Sequence, residues 1–226
     1  MTPAVPYPPK GDWIREDLLA LIPRPPRRVL SIGCGTCGTE ELLQRRGAEV
    51  WGIEFVPASV EAARGKIHRI LLCDVESDEL PEVPRAYFDL ILCADVLEHV
   101  RSPERVLARV AEWVSPDGSV LVSVPNSSNY RALRSLFARR DWKYADGGLF
   151  DRGHVRIFTR KNLLRMIEET GFSATKVSML CSLTGKLRFV AWPLRIAMAL
   201  VPATRDYFAE HWTVTARPVG PGSTPP

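Results

Sequence analysis

Basic tracts, long apolar runs and cysteines are all in short supply in this chain of 226 residues, and each shortage excludes something. Lys and Arg number 30 against 26 Asp and Glu, a net charge of +4 made of scattered arginines. No basic tract with interleaved aromatics appears, which counts against a nucleic-acid partner. Leu187 to Val201 is the most apolar late segment, but Arg188, Pro193 and Arg195 interrupt it. It is too short to span a bilayer and reads as a helix kinked at Pro193, so no stable membrane insertion is expected. Five cysteines, an odd number, sit among apolar residues with no signal peptide ahead of them. That argues against a disulfide framework and for reduced thiols in a cytoplasmic protein. There is no internal repeat, and the length suits one domain with a good core.

Proline is concentrated at the start: Pro3, Pro6, Pro8 and Pro9 make residues 1–11 a flexible arm. A domain is expected over 12–218, with a tail over 219–226 expected to be disordered. Within the domain, apolar runs alternate with helical patterns. The strands expected are "VLSIG", "AEVWGIEF", "IHRILLCD", "YFDLILCAD", "SVLVSVP", "FSATKVSML" and "AEHWTVTARP". Helices are expected over Trp13 to Leu21, Thr39 to Arg46, Pro57 to Arg64, Pro103 to Val114 and Lys161 to Thr170. Pro116-Asp117-Gly118 reads as a turn ahead of the fifth strand. The alternation predicts a doubly wound α/β sheet with helices on both faces, and residues 125–160 read as an insertion after strand 5.

The stretch "SIGCGTCGTE" bears three readings: a GxGxxG fingerprint, a CxxC pair and a glycine loop around a nucleoside cofactor. Ligands of doubly wound sheets lie outside the carboxyl ends of the strands. Glu54, Asp74 and Asp95 each end a strand in turn, as that geometry requires. A carboxylate after strand 2 suits ribose hydroxyls, because it accepts both of their hydrogen bonds. The CxxC lacks a second pair to complete a zinc site, although Cys73 and Cys93 end neighbouring strands.

Taken in order, "VLSIGCGTCG", "VWGIEFVP", "LLCDVES", "FDLILCADVLEHV" and "SPDGSVLVSVPN" resemble the motifs of class I S-adenosylmethionine-dependent methyltransferases. The segment through "HVRIFT" is similar to the methyltransferase domain 23 or MetW/UbiG-like branch. The resemblance implies a Rossmann-like seven-stranded sheet with an antiparallel last strand. It implies that S-adenosyl-L-methionine lies on Ser31, Gly33, Cys34, Gly35 and Gly38, with Glu54 and Phe55 at the ribose, Asp74 and Val75 at the adenine, and Asp95 and Val96 below. Two departures stand out. Ser31 replaces an Asp or Glu that helps anchor the cofactor amino group, and Cys37 occupies the place of a common third glycine.

His154, in "DRGHVRIF", is the candidate catalytic base, with Asp151 to orient it and Tyr144 beside the acceptor. Tyr130, Trp142, Tyr144 and Phe150 are candidates for an acceptor wall, and Arg131, Arg134, Arg139 and Arg140 for a phosphate grip. Asp95, Glu98 and His99 would share a face on a helical turn. Some ubiquinone-type relatives bind Mg²⁺ through a similar ExxEH, but many relatives carry "LEH" without a metal, and no metal is the reading adopted. The expected activity is methyl transfer to an oxygen or nitrogen of a small molecule, a sugar, glycan or secondary metabolite, nucleotide- or lipid-linked, by a monomer or homodimer. The rivals are a non-catalytic cofactor-binding scaffold and an NAD(P)-dependent oxidoreductase.

Overall fold

The computed structural model describes residues 14–180 and 205–220. The proline-rich arm, Trp13, the expected Leu187–Val201 helix and residues 221–226 lie outside the described residues. Seven strands form a single sheet: β1 (Arg28–Ile32), β2 (Glu49–Glu54), β3 (Arg69–Leu72), β4 (Phe88–Ala94), β5 (Val114–Pro125), β6 (Phe172–Leu180) and β7 (His211–Pro218). Their order is β3-β2-β1-β4-β5-β7-β6. β7 runs antiparallel to both neighbours, and the remaining pairs are parallel. The doubly wound sheet and its antiparallel last strand match the expectation from the sequence.

The central strands are apolar on both sides because both faces are covered. Along β4 the side chains alternate: Leu90 and Leu92 join one core with Val29, Val50 and Leu121, whereas Ile91 and Cys93 join the other with Leu30, Ile32 and Val122. Helix α1 (Glu16–Leu19) and α2 (Gly38–Arg45) send Leu18 and Leu43 into the first core. On the opposite face, α4 (Pro103–Trp113) inserts Val106, Leu107 and Val110, and α6 (Arg160–Glu169) inserts Leu163, Met166 and Ile167. Helix α3 (Pro57–Ala63) begins on a proline, whose missing N–H is one the first turn leaves unbonded anyway.

One local expectation changes. Pro116-Asp117-Gly118 is no turn ahead of a strand; it lies inside β5, in a bulge. Phe88 faces Val114, and two residues later Leu90 already faces Ser119. Gly118 is required there, since a Cβ would lie 2.6 Å from Val114 Cγ2 and 2.9 Å from the Phe88 carbonyl oxygen. At the far end, Val219 N–H donates to the Gly171 carbonyl at 2.9 Å.

The segment after β5 forms α5 (Tyr130–Arg134), a wider π-type turn over Ser135–Arg139, and a loop that runs back to Phe158. Asn129 caps α5 by accepting from Arg131 N–H at 2.9 Å. The loop returns over the carboxyl end of β4, where the N–H groups of Val155 and Arg156 both donate to the Glu98 carbonyl, at 2.8 and 3.1 Å. Helix α7 (Arg205–Phe208) then leads into β7.

Candidate active site

Strand order reverses between β1 and β4, and the loop after β1 sits at that switch point. Gly33 holds φ at +64°, and a Cβ on it would lie 2.4 Å from Val96 Cγ2. The loop backbone therefore rests directly on Val96. Gly35 holds φ at +56° with nothing within 4 Å of a would-be Cβ, so the space above it is open. These two glycines are needed for different reasons, one for contact and one for conformation. Cys37 takes φ 60° itself, and Gly38 is simply the first residue of α2. Cys37 thus holds the left-handed bend, and the GxGxxG spacing is coincidental.

Glu54 is buried at the end of β2. Its Oε2 accepts from Gly35 N–H at 2.8 Å, and its Oε1 accepts from Phe55 and Val56 N–H, each at 2.9 Å. A carboxylate has about four acceptor positions, so one remains for a ribose hydroxyl rather than two. Phe55 is exposed beside it. Asp74 is exposed, and its two oxygens hold Glu76 N–H and Ser77 Oγ, each at 2.8 Å. It fastens its own loop through these two bonds, while Val75 is buried in the core.

Asp95 departs most from expectation. At φ 55° it leaves β4 in the left-handed region, so the DxxEH spacing does not lie on a helical turn. Its carboxylate pairs with Arg15 and lies 3.6 Å from His211 Nε2, with Ser123 Oγ at 3.3 Å. Arg15 also binds Asp17 at 2.8 Å. Burial works against the Arg15 charge, yet Asp17 and Asp95 together raise its pKa; Asp17 in turn is lowered, burial opposing, by the same guanidinium.

Glu98 and His99 instead meet His154: one ligand atom from each lies within 4.8 Å of the others. His154 Nε2 is 4.0 Å from Glu98 Oε1, with side-chain exposures of 16% and 1%. The two imidazoles stack edge to face at 4.9 Å, and His99 Nδ1 lies 3.1 Å from the Gly153 carbonyl. Asp151 is buried and shapes the loop, its Oδ1 accepting from Gly153 N–H at 2.7 Å. Tyr144 is 60% exposed. Of the expected aromatic wall, Trp142 and Phe150 meet at 4.7 Å, whereas Tyr130 packs on Phe208 at 5.7 Å. Arg131 pairs with Glu210 at 3.0 Å, and Arg134, Arg139 and Arg140 are exposed.

The CxxC thiols lie together inside the loop. A hydrogen bond donated by the Cys34 thiol to Cys37, together with burial, pushes Cys34 well up, and burial alone pushes Cys93 up to about 12. Thiols held protonated are poor nucleophiles and poor ligands. Among the described residues no cysteine belongs to a cluster of three metal-capable side chains.

Sequence reasoning missed Arg15, Glu40 and His211. Arg15 and His211 are far from Asp95 along the chain and carry no spacing signal. Glu40 had one: the absent acid at position 31 invited a search for another nearby, and Ser31 Oγ donates to Glu40 Oε1 at 2.7 Å.

Comparison with known proteins agrees with this geometry. The family model described as "Methyltransferase domain" matches residues 12–177. A "Ubiquinone biosynthesis O-methyltransferase" of Aeromonas salmonicida (strain A449) is 29% identical over 178 residues, 74% of this chain and 70% of that one. Another of that name, from Neisseria meningitidis serogroup A, is 36% identical over 120 residues, half of each chain. Neither name mentions a sugar. Among solved structures, a methyltransferase dependent on S-adenosylmethionine (SAM) from Archaeoglobus fulgidus superposes with a TM-score of 0.67 at 20% identity, covering 89% of this chain and 91% of its own. No described helix is long and apolar enough to cross a membrane. With the family model matched across most of the chain and the glycine loop built on Val96, this chain belongs to the methyltransferase domain family and is an S-adenosylmethionine-dependent methyltransferase.

Proposed function

We propose that the protein methylates a phenolic hydroxyl of a small molecule, with His154 taking the hydroxyl proton and Glu98 supporting the resulting imidazolium. The pairing of a nearly enclosed His154 with buried Glu98, under a loop latched across the end of β4, carries the reading. The names of the relatives above favour oxygen as the acceptor atom. The acid–base chemistry favours a phenol over the sugar hydroxyl expected from the sequence. A phenol has a pKa of about 10, within reach of an imidazole base, whereas a sugar alcohol is a far weaker acid.

The residues fit the cofactor. Gly35 leaves open space, Gly33 brings backbone onto Val96, and Glu54 keeps one acceptor position facing the loop. When bound, S-adenosylmethionine supplies a methyl group on a positively charged sulfur, so an aligned oxygen needs little further activation. The chain's own part is to orient that oxygen, remove its proton with the His154 imidazole and exclude water with the 145–158 loop.

His154→Ala is expected to keep S-adenosylhomocysteine (SAH) affinity within about threefold and to lower kcat by about 10²–10⁴-fold. Titration calorimetry and turnover with a catechol acceptor read the two effects. Unchanged turnover removes His154 from the mechanism. Turnover of a sugar but no phenol overturns the acceptor class.

A further inference from the structure

Glu40, on the first turn of α2, is 6% exposed. Its carboxyl accepts from Ser31 Oγ, at 2.7 Å, and from its own backbone N–H. Among the described residues no Lys, Arg or His forms an ion pair with it, and none acts on its carboxyl. A buried carboxylate without a countercharge is costly to keep, and burial raises its pKa. The other acids around the loop are engaged: Glu54 holds three backbone N–H groups, and Asp95 holds Arg15.

Ser31 lies two residues before Gly33, with its backbone between Gly52 and Leu92. The Ser31–Glu40 pair therefore sits against the loop that leaves space at Gly35. Glu40 approaches from the helix side and places a carboxylate one hydrogen bond beyond the Ser31 hydroxyl. That is about where the tip of an acid at position 31 would reach. The Ser31 hydroxyl holds one oxygen, leaving acceptor positions for a cation with several donors.

We propose that Glu40, oriented by Ser31, receives the α-ammonium group of the cofactor's methionine moiety, a carboxylate delivered from α2 in place of one on β1. The inference rests on the methyltransferase reading and names the residue that completes its site. Charge-assisted hydrogen bonds of this kind are among the stronger ones, so the residue also selects ligands that carry the amino group.

The test is calorimetric and needs no turnover. SAH carries the amino acid moiety, and 5′-methylthioadenosine lacks it. E40Q preserves shape and removes charge. It is expected to weaken SAH by about 10- to 100-fold and to change 5′-methylthioadenosine by less than about threefold. S31D/E40Q, with the acid returned to the strand, is expected to recover SAH affinity to within about fivefold of the unaltered protein. Unchanged SAH affinity in E40Q, or equal losses of both ligands, overturns the inference. If E40Q does not fold, S31D/E40Q decides: recovered SAH affinity supports the inference, and lost preference for SAH over 5′-methylthioadenosine overturns it. Failure of the unaltered protein to bind SAH overturns the cofactor reading itself, a different result from a silent E40Q.

Discussion

Cys37 shows how residues are chosen at this loop. A left-handed bend is required there, glycine makes it without strain, and this chain makes it with a buried cysteine at φ 60°. The same scale governs Glu54, whose carboxylate holds the loop closed. A Gln there turns an amide NH₂ toward backbone N–H groups. Glu54→Gln is therefore expected to destabilise the fold by about 2–4 kcal/mol, read by urea unfolding, because up to three charge-assisted bonds are lost or reversed. Glu40 behaves oppositely in the absence of ligand. Its folded pKa lies above its unfolded value. The folded state therefore binds more protons, and stability falls as pH rises through the folded pKa. Glu40→Gln should raise Tm near neutral pH, with the gain shrinking to nothing in acid; a gain that grows toward acid would contradict the burial argument. Acids at strand ends were visible in sequence as an ordered set. Which bonds each already makes was not, because the hold of Asp74 on Glu76 and Ser77 comes from turn geometry that no spacing reveals.

Elements were legible where periodicity was strong. β4 alternates between two cores, and α4 carries its apolar residues on one face, so both could be placed from the sequence. The failures occurred where backbone conformation overrode pattern. Gly118 reads as turn chemistry, yet the chain continues as a bulged strand because Phe88 and Val114 already pair across it. DxxEH reads as a helical face, yet Asp95 at φ 55° pairs with Arg15 and stands outside the Glu98–His99–His154 group. α6 has a clearer start: Thr159 Oγ1 accepts from Asn162 N–H, while Asn162 Oδ1 accepts from Thr159 N–H at 2.7 Å. Thr159→Ala is expected to cost about 1 kcal/mol, measured by urea unfolding. Cofactor affinity should stay unchanged, since the helix packs on β6 and β7, at the edge of the sheet away from β1 and its loop.

For the molecule as a whole, ligand binding and folding are one equilibrium. S-adenosylhomocysteine at about one hundred times its Kd should stabilise the protein by about 2.7 kcal/mol. For a chain of this size that raises Tm by about 5–10 °C. NADH is expected to produce no shift, and the reverse result would favour the dinucleotide rival that the GxGxxG spacing first suggested.

The sequence by itself determined the doubly wound sheet, the antiparallel last strand and the position of the cofactor loop. The sheet follows from local periodicity, the loop from glycines whose φ values only glycine adopts freely, and the direction of the last strand from the resemblance to the methyltransferase motifs. Tertiary structure alone decided the partners. Arg15 and His211 reach Asp95 from opposite ends of the chain, and His154 reaches Glu98 from the returning loop. A side chain's charge is local, but its countercharge is set by which strands and loops the fold brings to the same edge of the sheet.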